Sequence, residues 1–449
     1  MNDVRAEWRR AVVTIASALV MGVLAACGGG DKEATTAGGS GDDVKGTLTF
    51  WQTPTEETVG PWWDDFIADF EAEHPGVKVE YTKMTTDEQL TKPAAAFTVG
   101  DEPDVLEMTA GELLDQYVRA GRVAPLNDLV DFEPLNPASL DLVTGPDGEV
   151  YEVPTSWSVL FMWSNEDLLK KHGIETPKSW DDLRSACETL SSEGVVPIAL
   201  GNRGQDLWTT THWFDSLLYQ YGGAGVAYDA TFDEGGASWA DEPFVDAGAR
   251  LQELVDAKCF PKGFTGLNYS QMSSLFLRGD AAMIFTGTWF GAGLKSGGAK
   301  FPVAISPLPD APGAVNSTEN LDGMIGGASG FAATTKGVKE RPELVGAFLS
   351  AVAERVDQYA LENNALSVAA QPEPPTDPMQ ARMTELLEGV GELAQWPHLT
   401  VPSSIRTAEF QNVQALAAGS ISPEELGSTM AETVERERPK FPKLDQPKG

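Results

Sequence analysis

From residue 47 onward the chain alternates short apolar runs with longer amphipathic ones. Thr47-Leu48-Thr49-Phe50-Trp51 reads as a short strand, and WWDDFIADFEAEHPG follows it. In that segment Trp62, Phe66, Ile67 and Phe70 recur at helical spacing on one face, and Pro75-Gly76 ends the helix. Val77-Lys78-Val79-Glu80-Tyr81 then alternates as a second strand. Gly100-Asp101-Glu102-Pro103 leads into a third, Asp104 to Met108, with a helix from Gly111. Strand–helix–strand–helix order predicts parallel strands in an α/β layered fold.

The pattern recurs further along. SWSVLFMWSN is apolar enough for a buried strand, approached through a turn at Pro154-Thr155-Ser156. Ser179 is placed as the N-cap of the helix beginning SWDD. Residues 195–200, AAMIF, FPVAISPLP and ASGFAATT supply further β-like runs, after which the chain is mostly helical. AQPEPPTDP at 370–378 is a proline-rich connection, and no repeat of fixed period is present.

The N-terminus has a different pattern. Arg5, Arg9 and Arg10 precede AVVTIASALVMGVLAA, a basic region and a short apolar run of the kind that directs export. Leu24-Ala25-Ala26-Cys27 resembles a bacterial lipobox, which implies a signal peptide over 1–26 and a lipid on Cys27. Residues 27–45 lack large apolar side chains until Val44 and read as a flexible tether.

Charge narrows the partners. With 67 acidic against 32 basic residues the net charge is -35, which argues against nucleic acid and anionic lipid as ligands. Cys187 and Cys259 remain in the body, where a disulfide and two buried thiols both fit. No Cys/His cluster suggests a metal, and no cofactor motif is present. His74, His172, His212 and His398 form no catalytic motif and read as ordinary helix or loop residues.

Tryptophan carries more information. Of the 12, Trp51, Trp157, Trp208 and Trp289 are expected beside strand ends or turns, while Trp180 and Trp213 read as core. Flat aromatic faces suit the apolar faces of sugar rings, and ligands of open α/β sheets sit beyond the strand carboxyl ends.

Several segments together resemble the extracellular solute-binding proteins of bacterial ABC importers, in the sugar-binding branch that includes maltose-binding protein. They are TLTFWQ, GDEPDV, YEVPTSWSVLFMWSNEDLLKKHGIETPKSWDDL, FLRGDAAMIFTGTWF and GGASGFAATTKGVKERPELVGAFLSAV, in this order. The resemblance implies a class II periplasmic-binding-protein-like α/β fold: two discontinuous lobes, a hinge and a central ligand cleft. The N-terminal lobe is expected over 46–155 and 306–366, and the C-terminal lobe over 156–305 and 367–449. Crossings are expected near 154–157, 304–307 and 365–371.

The same resemblance implies ligand contacts at Gln52, Glu56 and Glu107 from the first lobe. Trp157, Asp206, Trp208 and Trp289 are expected from the second, with Arg406 from the C-terminal helices. Asp104 is expected to bond loop backbone, and Asn165 to cap or turn. A carbohydrate ligand, ABC permease subunits and a membrane anchor through Cys27 are the implied partners of a monomer on the outer face of the cell membrane, with no enzymatic activity. A receptor for a polyol, glycerol-phosphate ester or peptide, and an exported carbohydrate-active enzyme, are the alternatives. Arg278-Gly279-Asp280 reads as a helix-to-strand turn rather than an adhesion signal.

Overall fold

The computed structural model describes residues 44–441, apart from 54–58, 85, 146, 233 and 297. Signal residues 1–26, Cys27, most of the tether and Glu56 therefore lie outside the described residues. No described helix is long and apolar enough to cross a membrane.

Nine strands are present among the described residues: β1 (Gly46–Gln52), β2 (Val77–Lys83), β3 (Val105–Thr109), β4 (Glu152–Asn165), β5 (Val196–Ala199), β6 (Ala281–Gly287), β7 (Val303–Ser306), β8 (Met324–Ala333) and β9 (Leu393–Gln395). They form one sheet in the order β2-β1-β3-β8-β4-β6-β5, with β7 on β4 and β9 on β8. The expected parallel pairing holds for β1 with β2 and β3, because each connection is a crossover helix. The centre of the sheet differs: β8 runs antiparallel to both β3 and β4, and β4 antiparallel to β6.

The long strand β4 corrects one expectation. No turn interrupts it at Pro154; instead its register against β8 shifts between Pro154 and Ser156. Proline cannot donate to the ladder, and a bulge accommodates that without ending the strand. The first part of β4 pairs with β8, while Leu160 to Asn165 pair with β6 and β7.

Beside β1 the helix Val59–Glu73 buries Trp63, Phe66, Ile67 and Phe70. Trp63 packs at 4.9 Å from the ring of Phe331 and 5.3 Å from that of Phe66. Trp180 and Trp213 are core, as their helical setting suggested. Ser179 forms a capping box with Asp182, and Asn165 caps the next helix by accepting from Leu168 N–H at 2.9 Å. Asp104 accepts from Thr49 N–H at 2.8 Å and pairs with Arg341 at 2.7 Å, the structural role expected of it. Arg278 ends a helix, Gly279 turns at φ 76°, and β6 starts at Ala281. Cys187 and Cys259 are joined as a disulfide.

Candidate functional site

The carboxyl end of β3 opens into a cavity of about 200 Å³. Glu107, Thr109, Tyr117, Trp208, His212, Trp289, Trp396 and Arg406 line it. Ser158 of β4 and residues 327–329 of β8 also reach it, at the stretch where those two strands pair. The cavity thus lies where ligands of open α/β sheets collect, beyond the ends of parallel strands.

Glu107 is held in place by the loop after β1, where Thr53 N–H donates to its Oε2 at 2.6 Å. Burial pushes the Glu107 carboxyl up to about 7, with the Thr53 N–H pulling the other way. Near neutral pH it can accept from a hydroxyl or, protonated, donate to one. Gln52 does not reach the cavity wall. Its side chain accepts from the Tyr81 hydroxyl at 2.5 Å and is buried.

A chain of hydrogen bonds fixes the indoles of Trp208 and Trp289 in the cavity wall. Asp206 Oδ1 accepts from Trp208 Nε1 at 3.3 Å, and Oδ2 accepts from Tyr269 N–H at 2.8 Å. The Tyr269 hydroxyl in turn accepts from Trp289 Nε1 at 2.9 Å. Asp206 is absent from the wall itself; it positions two indoles that are on it. Trp208 opens the helix Trp208–Gly222 instead of ending a strand, and Trp289 follows β6 by two residues. The glycine before Trp289 has a steric reason. A Cβ on Gly287 would lie 2.0 Å from Trp289 Cζ3, so the indole folds back over a position only glycine can occupy.

Trp157 is not brought to the site. It sits within β4, packed in the core, where its N–H donates to Leu366 O at 3.0 Å and its carbonyl accepts from Thr288 Oγ1 at 2.8 Å. The reason is the missing turn: with β4 continuous through Pro154, Trp157 falls mid-strand between neighbours.

His212 and His398, which read as ordinary helix or loop residues in the sequence, line the cavity together with Trp396, which no motif marks. His212 stands four residues after Trp208 on one helix, so the two share a face, a spacing that could have marked it. Their rings are 5.0 Å apart, and Trp396 approaches His212 at 4.6 Å. Burial, with His398 adding to it, holds the His212 imidazole well below its usual range, so the ring is neutral.

Behind this wall His398 Nδ1 and Asp215 Oδ2 are hydrogen-bonded at 2.5 Å, and Glu409 is fully buried beside Asp215. Two ionised carboxylates there would leave Asp215 Oδ1 and both Glu409 oxygens without a donor. Burial and Asp215 raise the Glu409 pKa far above the carboxylate range, so Glu409 carries a proton it can share with Asp215. Arg406 lines the cavity from the helix Ser403–Ala417; burial lowers its pKa while Glu409, Tyr117 and Glu112 act against that. No group of three or more His, Cys, Asp or Glu that could hold a metal occurs among the described residues.

The comparisons with known proteins agree with this architecture. A galactooligosaccharide-binding protein of Bacillus subtilis is 24% identical, over 92% of this chain and 93% of that protein. An uncharacterized ABC transporter extracellular-binding protein of Pyrococcus horikoshii is 23% identical over 57% of this chain; the match spans 63% of that relative, a little under two thirds of its length. A structure from work on xylan utilization by the thermophilic bacterium Caldanaerobius polysaccharolyticus superposes with a TM-score of 0.78 at 25% identity, covering 86% of this chain and 99% of that one. Residues 53–359 match the family described as bacterial extracellular solute-binding protein, and the chain belongs to that family.

Proposed function

We propose that this chain is the receptor of an ABC importer and captures a carbohydrate, a di- or oligosaccharide, in the cleft for delivery to the membrane permease. The observation that carries this reading is that Trp208, Trp289 and Trp396 line one cavity together with Glu107. Indole faces pack on the apolar faces of pyranose rings, while Glu107 and Arg406 offer charged hydrogen bonds to hydroxyls. Arg406 is the sole Lys or Arg lining the cavity among the described residues, which suits a neutral solute better than a phosphate ester. The names of the B. subtilis and Caldanaerobius relatives point the same way.

In this reading the chain is a receptor without turnover, and it acts as a monomer. Its two lobes, 46–155 with 306–366 and 156–305 with 367–449, close on the sugar about the crossing segments. The change of β4 partners after the Pro154–Ser156 register shift supports a crossing there. The protein is held outside the cell membrane by a lipid on Cys27, after removal of residues 1–26.

Calorimetry of the soluble body against mono- and oligosaccharides tests the proposal. Binding of a sugar, weakened at least tenfold by Trp289→Ala in a protein that still folds, is the expected outcome. A body that binds peptides or phosphate esters but no sugar overturns it.

A further inference from the structure

Two of the three tryptophans on the cavity wall have their indole N–H tied to a side chain, Trp208 to Asp206 and Trp289 to Tyr269. Trp396 differs. Its Nε1 is buried with no hydrogen-bond partner among the described residues, and the residue is 8% exposed. His212, 2% exposed, has neither ring nitrogen paired among the described residues. The two rings meet edge to face at 4.6 Å, and both line the cavity. Trp63 and Trp213 also carry unpaired indole nitrogens, but they are packed in the core and line no part of this cavity. Leaving such groups unpaired destabilises the folded chain, and phenylalanine would fill either position without that cost.

Resting on the carbohydrate reading, we propose that His212 and Trp396 form a polar subsite that recognises a neutral hydroxyl of the bound sugar. The chemistry of the pair selects that group. A neutral imidazole offers one donor and one acceptor, and the indole adds a donor. A hydroxyl both gives and accepts, so it can pair with whichever imidazole nitrogen it meets and with the indole N–H. A carboxylate or phosphate has no proton for the imidazole's acceptor nitrogen. The subsite therefore accepts an unmodified hydroxyl and rejects an acidic substituent at the same place.

Calorimetry with xylotriose, N,N′,N″-triacetylchitotriose, raffinose and stachyose tests this, each titrated into wild type, His212→Phe, His212→Gln and Trp396→Phe. For the sugar that wild type binds, His212→Phe and Trp396→Phe are each expected to weaken binding about fivefold or more, the equivalent of one neutral hydrogen bond. His212→Gln, which keeps a donor and an acceptor, is expected to recover part of the loss. The unliganded Phe variants should melt at or above the wild-type temperature, because each removes an unpaired buried group. Trp396→Phe keeps a ring in place and reads the subsite independently should His212→Phe misfold. Wild-type affinity in both Phe variants overturns the subsite while leaving the carbohydrate reading intact. Failure of wild type to bind these four or any other sugar of the mono- and oligosaccharide screen overturns both.

Discussion

Trp63 and Trp289 both lie among other aromatic rings, and the resemblance ends at their edges. Trp63 is 1% exposed, with Phe50, Phe66 and Phe331 around it and no partner for its indole nitrogen among the described residues. Trp289 is half-buried, 5.9 Å from the ring of Trp208, with its nitrogen bound to Tyr269 and, through Tyr269, to Asp206. The first ring is placed by packing alone, which leaves its face covered. The second is placed by its edge, which leaves a face open to the cavity. Ring content does not separate these two; edge chemistry does, although it is no general rule here, since buried Trp163, Trp180 and Trp239 also have bonded indole nitrogens and Trp396 lines the cavity with an unpaired one.

The largest expected effect breaks the comparison from the core side. Trp63→Ala should cost about 3–5 kcal/mol of folding stability, the usual range for deleting a buried large aromatic. Urea denaturation measures it, and sugar affinity of the remaining folded fraction should be unchanged. A loss below about 1 kcal/mol would mean that the cluster around Phe331 repacks, and that Trp63 is no more a keystone than Trp289.

A second prediction concerns Glu152, a polar group on the core side with none of the wiring that Trp289 has. It is fully buried on β4, and both its oxygens lack a partner among the described residues. Burial first, then the charges of Glu107 and Asp115, push its carboxyl up from 4.5 to about 8. Between those two values the folded state keeps a proton that the unfolded state has released. Stability from this group is therefore complete below the lower value and falls as pH rises, by up to ~1.4 kcal/mol per unit, until the upper one is passed. Wild type should be measurably more stable to urea at about pH 5 than at about pH 8, and Glu152→Gln should flatten that slope. Equal slopes in the two proteins would show that Glu152 does not hold the proton.

These contrasts also mark what could be read along the chain. The parallel start of the sheet, the caps at Asn165 and Ser179 and the turn at Gly279 follow from local patterns of a few residues, whereas Asp104 bonds Thr49 and Arg341, 55 and 237 residues away. Trp157 falls in the core because β4 does not end at Pro154, and the register shift that lets it pass depends on pairing with β8, far away in sequence. Asp206 stood in the right neighbourhood with a different task, holding indoles instead of lining the cavity. His212 could have been placed beside Trp208 by its spacing, but Trp396 and His398 could not. His398 meets Asp215 across 183 residues, and no periodicity records a contact of that range.

The smallest effect sharpens the comparison most, because it alters one atom. Tyr269→Phe keeps the ring that packs at 5.0 Å from Trp208 and removes the oxygen that accepts from Trp289 Nε1. In a core cluster such a deletion would lower stability by about 1 kcal/mol and do nothing else. At the cleft, the freed indole gains rotamers that sugar binding must then remove, a cost of roughly 0.5–1.5 kcal/mol for one immobilised side chain. Sugar affinity by calorimetry is expected to fall about two- to tenfold, alongside the small change in urea midpoint. A changed midpoint with unchanged affinity would mean that packing alone holds Trp289. The edge chemistry separating it from Trp63 would then have no functional consequence.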